Sequence, residues 1–432
     1  MGFDPLTAEE RAEELVRARP RSLPVVPRAG RALRHLPLAA EARAEDKKWR
    51  PRYCVWEITL ACDLACRHCG SRAGHERPDE LSTDQALDLV RQMSELGVEE
   101  VTLIGGEAYL REDWLVILAA LVAAKMRAGI TSGGRGFTEE RLRAAKAAGL
   151  HGVSISLDGD EATHDRLRGV RGSYRSALEA MATAARVGLR VYCNTQINRL
   201  SIPHLPAILE TIAPLGVSAW QIQLTVPMGR AADEPDVLVQ PYDLLEVFPL
   251  LATLKNRCDA LRVRLWTGNN VGYFGPHETA LRGHYPWGHG GQCGAGRLSL
   301  GIEANGAIKG CPSLPTAAYT GGNIRDASLK DIWERSAPLR FTRNKTVDEL
   351  WGYCRGCYYA EDCMAGCNWT THVFFGRTGN NPFCHHRALE MQRAGKRERV
   401  VRVSAASGEP FDHGIFEIRE EDIGPANRRE QP

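Results

Sequence analysis

Residues 62–69 read Cys62-Asp63-Leu64-Ala65-Cys66-Arg67-His68-Cys69, and they follow an apolar stretch, Val55-Trp56-Glu57-Ile58-Thr59-Leu60. Three thiolates at this C-x3-C-x2-C spacing can hold three irons of a [4Fe–4S] cluster and leave the fourth iron without a protein ligand. Structural zinc sites instead use four ligands, usually as two C-x2–4-C pairs separated by a longer gap. The run by itself therefore favours an iron–sulfur cluster with one open iron.

The composition is that of a globular protein too long for one ordinary core. The chain has 432 residues, of which 43% are hydrophobic and 25% charged, and this length suggests two or three folded units. Its 55 basic and 53 acidic residues give a net charge of +2, so binding to nucleic acid or to an anionic membrane is not expected. No apolar run reaches 18 residues, and the first residues lack the features of a signal peptide. We therefore expect a cytoplasmic protein in which metal or cluster ligation, not disulfide bonding, explains the 13 cysteines.

From Tyr53 to about residue 226, apolar β-branched stretches alternate with amphipathic ones. Strands are predicted at Val55–Leu60, Glu100–Ile104, Ala128–Ser132, Gly152–Leu157, Arg190–Ile197 and Trp220–Val226. Helices are predicted near residues 82–97, 138–149, 174–188 and 201–215, with a capping box at Ser82 and glycine stops at Gly97, Gly149 and Gly188. These units predict an α/β fold, a parallel sheet curved into a partial (β/α)6 barrel, with the chemistry at the C-terminal strand ends.

A second motif, Leu103-Ile104-Gly105-Gly106-Glu107, ends the second predicted strand. The two glycines allow a ligand to approach the backbone closely, and the Glu107 carboxylate can accept hydrogen bonds from an ammonium group. Taken alone, the motif is also compatible with an ordinary strand-to-helix turn. Because it lies one β/α unit after the cysteine run, the two motifs together resemble the signature of radical S-adenosylmethionine (SAM) enzymes.

The resemblance implies that Cys62, Cys66 and Cys69 bind a [4Fe–4S] cluster whose open iron is chelated by the amino and carboxylate groups of SAM. One electron from the cluster then cleaves SAM to methionine and a 5′-deoxyadenosyl radical, which abstracts a hydrogen atom from the substrate. Gly105, Gly106 and Glu107 are implied to hold the SAM amino group.

Further SAM contacts are implied after the fourth predicted strand, in Ser154-Ile155-Ser156-Leu157-Asp158-Gly159 and His164-Asp165-Arg166-Leu167-Arg168. These stretches are similar to the S-x-D-G and H-D-x-x-R stretches of radical SAM peptide and protein modifiers. The similarity implies contacts to the ribose and carboxylate of SAM for Ser156 and Arg168, with Arg175 as an alternative to Arg168. A polar strand end with solvated arginines is the other interpretation of these residues.

Four amide side chains alternate along the fifth and sixth predicted strands: Asn194, Gln196, Gln221 and Gln223. If these faces point inward, the barrel has an unusually polar interior. Contacts to substrate or SAM would explain this pattern, and so would ordinary buried hydrogen bonds.

Seven of the remaining cysteines form a second pattern: Cys293-x12-Gly306-x4-Cys311, Cys354-x2-Cys357-x5-Cys363-x3-Cys367 and Cys384. Together with Gly321-Gly322-Asn323-Ile324 and Ser328-Leu329-Lys330-Asp331-Ile332-Trp333, the pattern resembles the SPASM domain that follows the barrel in many radical SAM enzymes. That domain carries two auxiliary [4Fe–4S] clusters, which makes three clusters in all. Because the second half of the pattern also contains zinc-like pairs, structural zinc is an alternative.

The family's crossed arrangement implies which cysteines bind each auxiliary cluster. Cys293, Cys311 and Cys367 would bind the first cluster, and Cys354, Cys357, Cys363 and Cys384 the second. Residues 294–301 lack the further cysteine of some relatives, so an open iron is implied in the first auxiliary cluster. Cys54, Cys193 and Cys258 are predicted to be buried structural thiols, and Cys258 is the one most able to supply the missing ligand.

The sequence is thus divided into an N-terminal helical and extended segment (1–50), the barrel (51–230), a bridge (231–290), a small cysteine-rich α+β SPASM domain (291–390) and a peripheral tail (391–432). Within the bridge, His284 and His289 can act as ligands or acid–base groups, although histidines in glycine-rich loops are more often structural.

In relatives with this architecture the usual substrate is a peptide or protein side chain. The resemblance therefore predicts a peptide maturase that crosslinks, epimerises or oxidises one residue of a ribosomally made precursor. Sulfatase maturation fits less well, because its enzymes place an aspartate soon after the second SPASM cysteine, where this chain has Pro312-Ser313-Leu314. The alternatives are a radical SAM enzyme of tetrapyrrole or other cofactor synthesis and a non-catalytic iron–sulfur electron carrier.

The predicted partners follow from the same resemblance. They are the precursor peptide or protein, an electron donor such as flavodoxin or ferredoxin and, because residues 1–50 are short for a recognition domain, a separate peptide-recognition protein.

Overall fold

Twelve strands form two sheets in the part of the chain that the computed structural model describes, residues 38–283 and 292–423. The strands are β1 (Tyr53–Glu57), β2 (Glu100–Ile104), β3 (Arg127–Ser132), β4 (Gly152–Ser156), β5 (Arg190–Ile197), β6 (Val217–Leu224), β7 (Arg264–Thr267), β8 (Ser299–Ile302), β9 (Ala307–Lys309), β10 (Thr320–Asn323), β11 (Lys396–Ser404) and β12 (Ile415–Asp422). The large sheet has the order β10-β9-β8-β1-β2-β3-β4-β5-β6-β7. Strands β1 to β7 are parallel to their neighbours, as in the predicted barrel.

Fourteen α-helices accompany these strands in the described residues. They are α1 (Thr83–Leu96), α2 (Trp114–Ala123), α3 (Glu139–Ala147), α4 (Glu161–Arg168), α5 (Ser173–Arg186), α6 (Leu205–Ile212), α7 (Arg230–Asp233), α8 (Leu244–Ala260), α9 (Glu278–Arg282), α10 (Thr316–Tyr319), α11 (Leu329–Arg335), α12 (Ala360–Cys363), α13 (Asn368–Phe375) and α14 (His385–Arg393). The capping box at Ser82 and the left-handed stop at Gly97 are both present on α1. These local signals were therefore confirmed.

The alternation of burial along each strand separates a helix-facing side from an inner side. In β5, the residues Val191, Cys193, Thr195 and Ile197 are buried, whereas Tyr192, Asn194 and Gln196 between them are partly exposed. Helix α5 packs against β4 and β5 on the buried side. Because side chains alternate across a strand, the polar residues face the inside of the barrel.

The barrel extends beyond the six strands that the sequence predicts. The segment interpreted as a bridge contributes α8 and a seventh parallel strand, β7, which pairs with β6. This strand has only four residues, Arg264–Thr267, too few for a period to be recognised. On the other side, β8 of the cysteine-rich domain continues the same sheet parallel to β1. His284 and His289 lie outside the described residues.

The segment expected to be a peripheral tail instead folds as an antiparallel hairpin of β11 and β12. Phe411 and Phe416 are buried, and Phe416 packs against Phe374 with 5.6 Å between ring centroids. A buried ion pair joins Arg387 of α14 to Glu398 of β11. The prediction of a tail was wrong because two buried aromatic residues and one buried ion pair anchor a segment that is otherwise charged.

Of the predicted N-terminal segment, only residues 38–50 are described. One stretch of the described residues, Pro235–Ala260, is long and apolar enough to cross a membrane, but more than half of its most apolar part is buried inside the protein. Its helix α8 packs against α14 and β7, as a core helix does.

Candidate active site

The loop with Cys62, Cys66 and Cys69 follows β1 and is held by backbone hydrogen bonds. Ala65 N–H donates to the Arg168 carbonyl (3.0 Å), and Arg67 N–H donates to the Leu167 carbonyl (2.8 Å) at the end of α4. Since these two residues belong to the predicted SAM-contact stretch, the structure brings both stretches to one place. The unpaired carbonyls at a helix C-terminus are natural acceptors for such a loop.

The two glycines after β2 lie against the start of the cysteine loop. A Cβ at Gly105 would lie 2.3 Å from the Thr59 carbonyl oxygen, and one at Gly106 would lie 2.5 Å from Cys62 Cβ. Gly106 N–H donates to the Thr59 carbonyl (2.9 Å). Both positions therefore exclude larger side chains, because the strand end and the cysteine loop are in backbone contact.

Glu107 is buried beside this loop, and β3 orients its carboxylate. Its Oε2 accepts a hydrogen bond from Ser132 Oγ (2.6 Å), and its Oε1 accepts one from Gly133 N–H (2.6 Å). Burial raises the pKa of the Glu107 carboxyl to about 7, although these two hydrogen bonds act to lower it. A cationic ligand would therefore be favourable here, because it would stabilise the buried carboxylate.

Arg168 lies directly beside the cysteine loop. Its Nη1 is 3.7 Å from Cys66 Sγ, and its Nη2 donates to Asp158. Burial raises the pKa of the Cys66 thiol to about 11, while Arg168 acts to lower it. Arg175, the alternative, pairs with Glu161 and is 78% exposed at its side chain. Arg168 thus lies at the cysteine loop, whereas Arg175 lies on the surface.

Two buried nitrogen atoms beside the cysteine loop have no hydrogen-bond partner among the described residues: Arg168 Nε and His68 Nδ1. His68 is neutral at neutral pH, because burial lowers its pKa to about 4. Unpaired buried donors and acceptors are rare and point to a missing partner. Together with three thiols on one loop, they fit an anionic cluster and a polar cofactor.

A cavity of about 440 Å³ occupies the half of the barrel interior towards the N-terminal strand ends, opposite the cysteine loop, and residues of all seven strands β1 to β7 line it. Asn194 and Gln221 line it, as expected if these faces point inward, and the Oδ1 atom of Asn194 has no partner among the described residues. Gln196, Gln223 and Ser156 lie two residues further along the same strand faces. The strand faces that carry these amides therefore point into the barrel.

The stretch Pro227-Met228-Gly229-Arg230, to which the sequence assigned no role, holds the cysteine loop from the other side. Arg230 N–H donates to the Cys69 carbonyl (3.0 Å), and its Nε donates to the Cys66 carbonyl (2.6 Å). A Cβ at Gly229 would lie 2.2 Å from the Cys69 carbonyl oxygen. The glycine in this stretch was the one signal available in the sequence, but glycine-containing loops are too common to reveal such a contact.

We expect Gly229→Ala to displace the cysteine loop and reduce iron binding in the barrel. The substitution combines a φ of +56° with a clash against the Cys69 and Gly70 carbonyl oxygens, and destabilisation of at least about 1–2 kcal/mol is expected from the backbone conformation alone. Gly172→Ala is the matched control, because Gly172 has a φ of +83° but open space around its Cβ. Thermal unfolding and iron content distinguish the two: equal losses in both variants would mean that the contact with the loop has no effect.

The seven cysteines of the second pattern separate into two sets in space. Cys354, Cys357, Cys363 and Cys384 line one cavity together with aromatic residues. Burial raises the pKa of the Cys311 thiol to about 12, with repulsion from the nearby thiols of Cys293 and Cys367 as the next largest cause. Cys293, Cys311 and Cys367 therefore form the other set. These are the two sets of the crossed arrangement.

Burial likewise raises the pKa of Cys384 to about 12 and of Cys367 to about 11. Since thiols must lose their protons to bind iron, the iron ions of a cluster in each set would supply the positive charge that burial and mutual repulsion of the thiolates make necessary. Among the described residues, no three Cys, His, Asp or Glu side chains are arranged to hold a single metal ion.

The three leftover cysteines are all buried. The expectation that Cys258 could supply a missing ligand was wrong: it lies in the apolar core on α8, where burial raises its pKa to about 12 and its charged neighbours are Asp259 and Lys255. No thiol of either set is among those neighbours.

Comparison with known proteins gives two domain matches. Residues 56–207 match the Radical SAM superfamily, and residues 293–358 match SPASM, an iron–sulfur cluster-binding domain. The chain is 27% identical over 369 residues to the AdoMet-dependent heme synthase of Nitratidesulfovibrio vulgaris, and the alignment covers 80% of this chain and 95% of that protein. It is 29% identical over 325 residues to mycofactocin maturase MftC of Mycobacterium tuberculosis, covering 72% of this chain and 77% of MftC.

Among solved structures, Streptococcus suis SuiB bound to S-adenosylmethionine has a TM-score of 0.60 at 18% identity, covering 78% of this chain and 76% of SuiB. SuiB was also solved with its precursor peptide SuiA. At this identity the similarity establishes the fold.

Proposed function

Because the chain belongs to the radical SAM superfamily and carries an iron–sulfur cluster-binding SPASM domain, we propose that it is a peptide maturase. It abstracts a hydrogen atom from one residue of a ribosomally made precursor peptide or protein, and the product is a crosslink, an epimer or an oxidised residue. The two domains imply iron–sulfur clusters and SAM. We assign three [4Fe–4S] clusters to Cys62, Cys66 and Cys69 in the barrel and to the two thiol sets of the SPASM domain.

The bound cluster and SAM would supply a 5′-deoxyadenosyl radical for hydrogen abstraction. The residues of this chain bind and orient the reactants. Glu107 accepts hydrogen bonds from the SAM amino group beside Gly105 and Gly106, and Ser156 and the free Nε of Arg168 contact its ribose and carboxylate. Arg168 also keeps a positive charge against Cys66, which favours the thiolate that binds iron.

The observation that carries the choice of a peptide is the polar inner face of the barrel sheet. It presents neutral hydroxyl and amide groups, from Thr102, Thr131, Ser154, Asn194 and Gln221. The arginines among the residues that line the cavity, Arg127 and Arg264, are the first residues of β3 and β7, so they lie at the N-terminal strand ends, opposite the cysteine loop. Neutral groups suit the amides of a peptide, whereas the carboxylates of a tetrapyrrole would require free cations.

MftC is a maturase by name, and SuiB was crystallised with a precursor peptide, which supports this choice. The second candidate is tetrapyrrole synthesis, which the heme synthase similarity favours because it covers 95% of that protein. An electron carrier without SAM chemistry does not account for the placement of Glu107. We further assign an electron donor such as flavodoxin or ferredoxin, a separate peptide-recognition protein and a cytoplasmic location.

The test uses the reconstituted enzyme with SAM and a chemical reductant. Peptides encoded by short reading frames beside its gene are the first probes, and a porphyrin precursor with several carboxylates is the second. We expect 5′-deoxyadenosine to rise with a peptide, and mass spectrometry in deuterated water to locate the changed residue. Turnover of the porphyrin precursor with no change in any peptide would favour the second candidate.

A further inference from the structure

The two auxiliary thiol sets are joined by a very short segment, Cys363 to Cys367. Its two ends belong to different sets, so the chain must turn sharply between them. Met364, Ala365 and Gly366 have φ values of 50°, 60° and 63°. Consecutive left-handed residues with side chains are unfavourable, by about 1–2 kcal/mol each. Neighbouring groups must therefore hold this left-handed segment.

Lys345 contacts the left-handed segment on one side. Its ammonium donates to the Met364 carbonyl (2.7 Å) and to Asn368 Oδ1 (2.7 Å). Met364 follows a cysteine of the second set, and Asn368 follows a cysteine of the first. On the other side, Tyr273 Oη accepts a hydrogen bond from Cys367 N–H (3.0 Å), and a Cβ at Gly366 would lie 2.5 Å from the Tyr273 ring. The segment is thus fixed between Lys345 and Tyr273.

Lys345 also interacts electrostatically with both thiol sets. Burial lowers its pKa, while Cys293 of the first set and Cys363 and Cys354 of the second act to raise it. Among the ion pairs of the described residues, Lys345 has no carboxylate partner. Glu349 interacts with it at longer range, and the Glu349 Oε1 atom accepts a hydrogen bond from Thr346 N–H (3.1 Å).

Other cations near the thiols are placed differently. Lys309 and Arg387 interact with Cys311 and Cys384, but each has a buried carboxylate partner, Glu303 or Glu398. Arg297 interacts with Cys293, which belongs to the first set. The position of Lys345 between the sets is therefore distinctive.

We propose that Lys345 is a positioning residue shared by the two auxiliary clusters: its ammonium fixes the segment that joins them and provides a positive charge to both. This inference rests on the proposed clusters. A nearby positive charge favours the reduced, more negative form of a cluster, and hydrogen bonding and charge around a cluster set its reduction potential. Lys345 therefore raises the reduction potentials of both auxiliary clusters. Because both clusters share this one charge, the two potentials stay close to each other.

The test is a redox titration of the reconstituted holoenzyme, followed by electron paramagnetic resonance, without substrate. In Lys345→Met both auxiliary midpoint potentials should become more negative, while that of the barrel cluster is unchanged. Lys345→Gln keeps hydrogen-bond donors without the charge, and it should show the same shift with full iron content. Parental potentials in Lys345→Gln, or a shift confined to one auxiliary cluster, would overturn the proposal.

Two matched controls sharpen the result. Lys330 is an exposed lysine of the same domain, so Lys330→Met should change no potential. Arg297→Met should shift the first auxiliary cluster alone. Because substrate is absent, these results do not depend on whether a peptide is modified. Reconstitution with iron in the barrel alone would remove the auxiliary clusters and, with them, this proposal.

Discussion

We expect Glu107→Gln to lower the rate of SAM cleavage by about tenfold to a hundredfold, while the barrel keeps its iron. The substitution retains the size of the side chain but removes the negative charge, and a hydrogen bond to a charged group contributes roughly 1.5–3 kcal/mol. In addition, Oε1 of Glu107 accepts from Gly133 N–H and Oε2 from Ser132 Oγ. In the glutamine variant, the amide oxygen can accept from Gly133 N–H while the amide nitrogen donates to Ser132 Oγ, so the site should remain folded. Without the negative charge, it should bind the SAM ammonium poorly.

The measurement is the rate of 5′-deoxyadenosine formation with excess reductant, together with SAM affinity and iron content. Glu112→Gln is the control, since Glu112 is exposed and lies five residues along the same loop region. It should behave like the parent protein. Cleavage and SAM affinity at the parental level in Glu107→Gln would remove Glu107 from the SAM site. Loss of iron, seen as a loss of cluster absorbance, would instead mean that Glu107 supports the cysteine loop.

Cysteine-to-alanine pairs are expected to reveal the crossed ligand sets through their iron content. With three [4Fe–4S] clusters the parent should hold about 12 irons, and Cys311→Ala, Cys363→Ala or Cys367→Ala should each hold about 8. Cys311 and Cys367 belong to one set, so the double variant should still hold about 8 irons. Cys363 and Cys367 are only four residues apart but belong to different sets, so that double variant should hold about 4.

Iron and sulfide are measured after anaerobic reconstitution, and zinc is measured in parallel. Cys258→Ala is the control: Cys258 is a buried thiol of the apolar core on α8, and its loss should leave iron content unchanged. About 4 irons with bound zinc in the parent would show that the C-terminal cysteines form a structural zinc site. Equal iron content in the two double variants would contradict the crossed assignment.

Much of the barrel was predictable because its signals are local. The bounds of β2 and β5 agree with the sequence prediction, since alternation and β-branching act over a few neighbouring residues. The predicted strand Trp220–Val226 instead begins at Val217 and ends at Leu224, where the pattern alone could not place the ends. The four-residue β7 and the hairpin of β11 and β12 were missed, because their stability comes from pairing and from buried side chains elsewhere in the chain.

The sequence by itself singled out the residues to which we assign the chemistry of the barrel, because three cysteines within eight residues and a GGE motif at a strand end are short-range patterns. Tertiary structure alone decided how that loop is held and how the auxiliary sets are related. Arg230 reaches the carbonyl of Cys66, 164 residues earlier in the chain, and Lys345 contacts the residues that follow Cys363 and Cys367. Such contacts leave no period or spacing in the sequence, because they depend on which strand ends and turns the fold brings together.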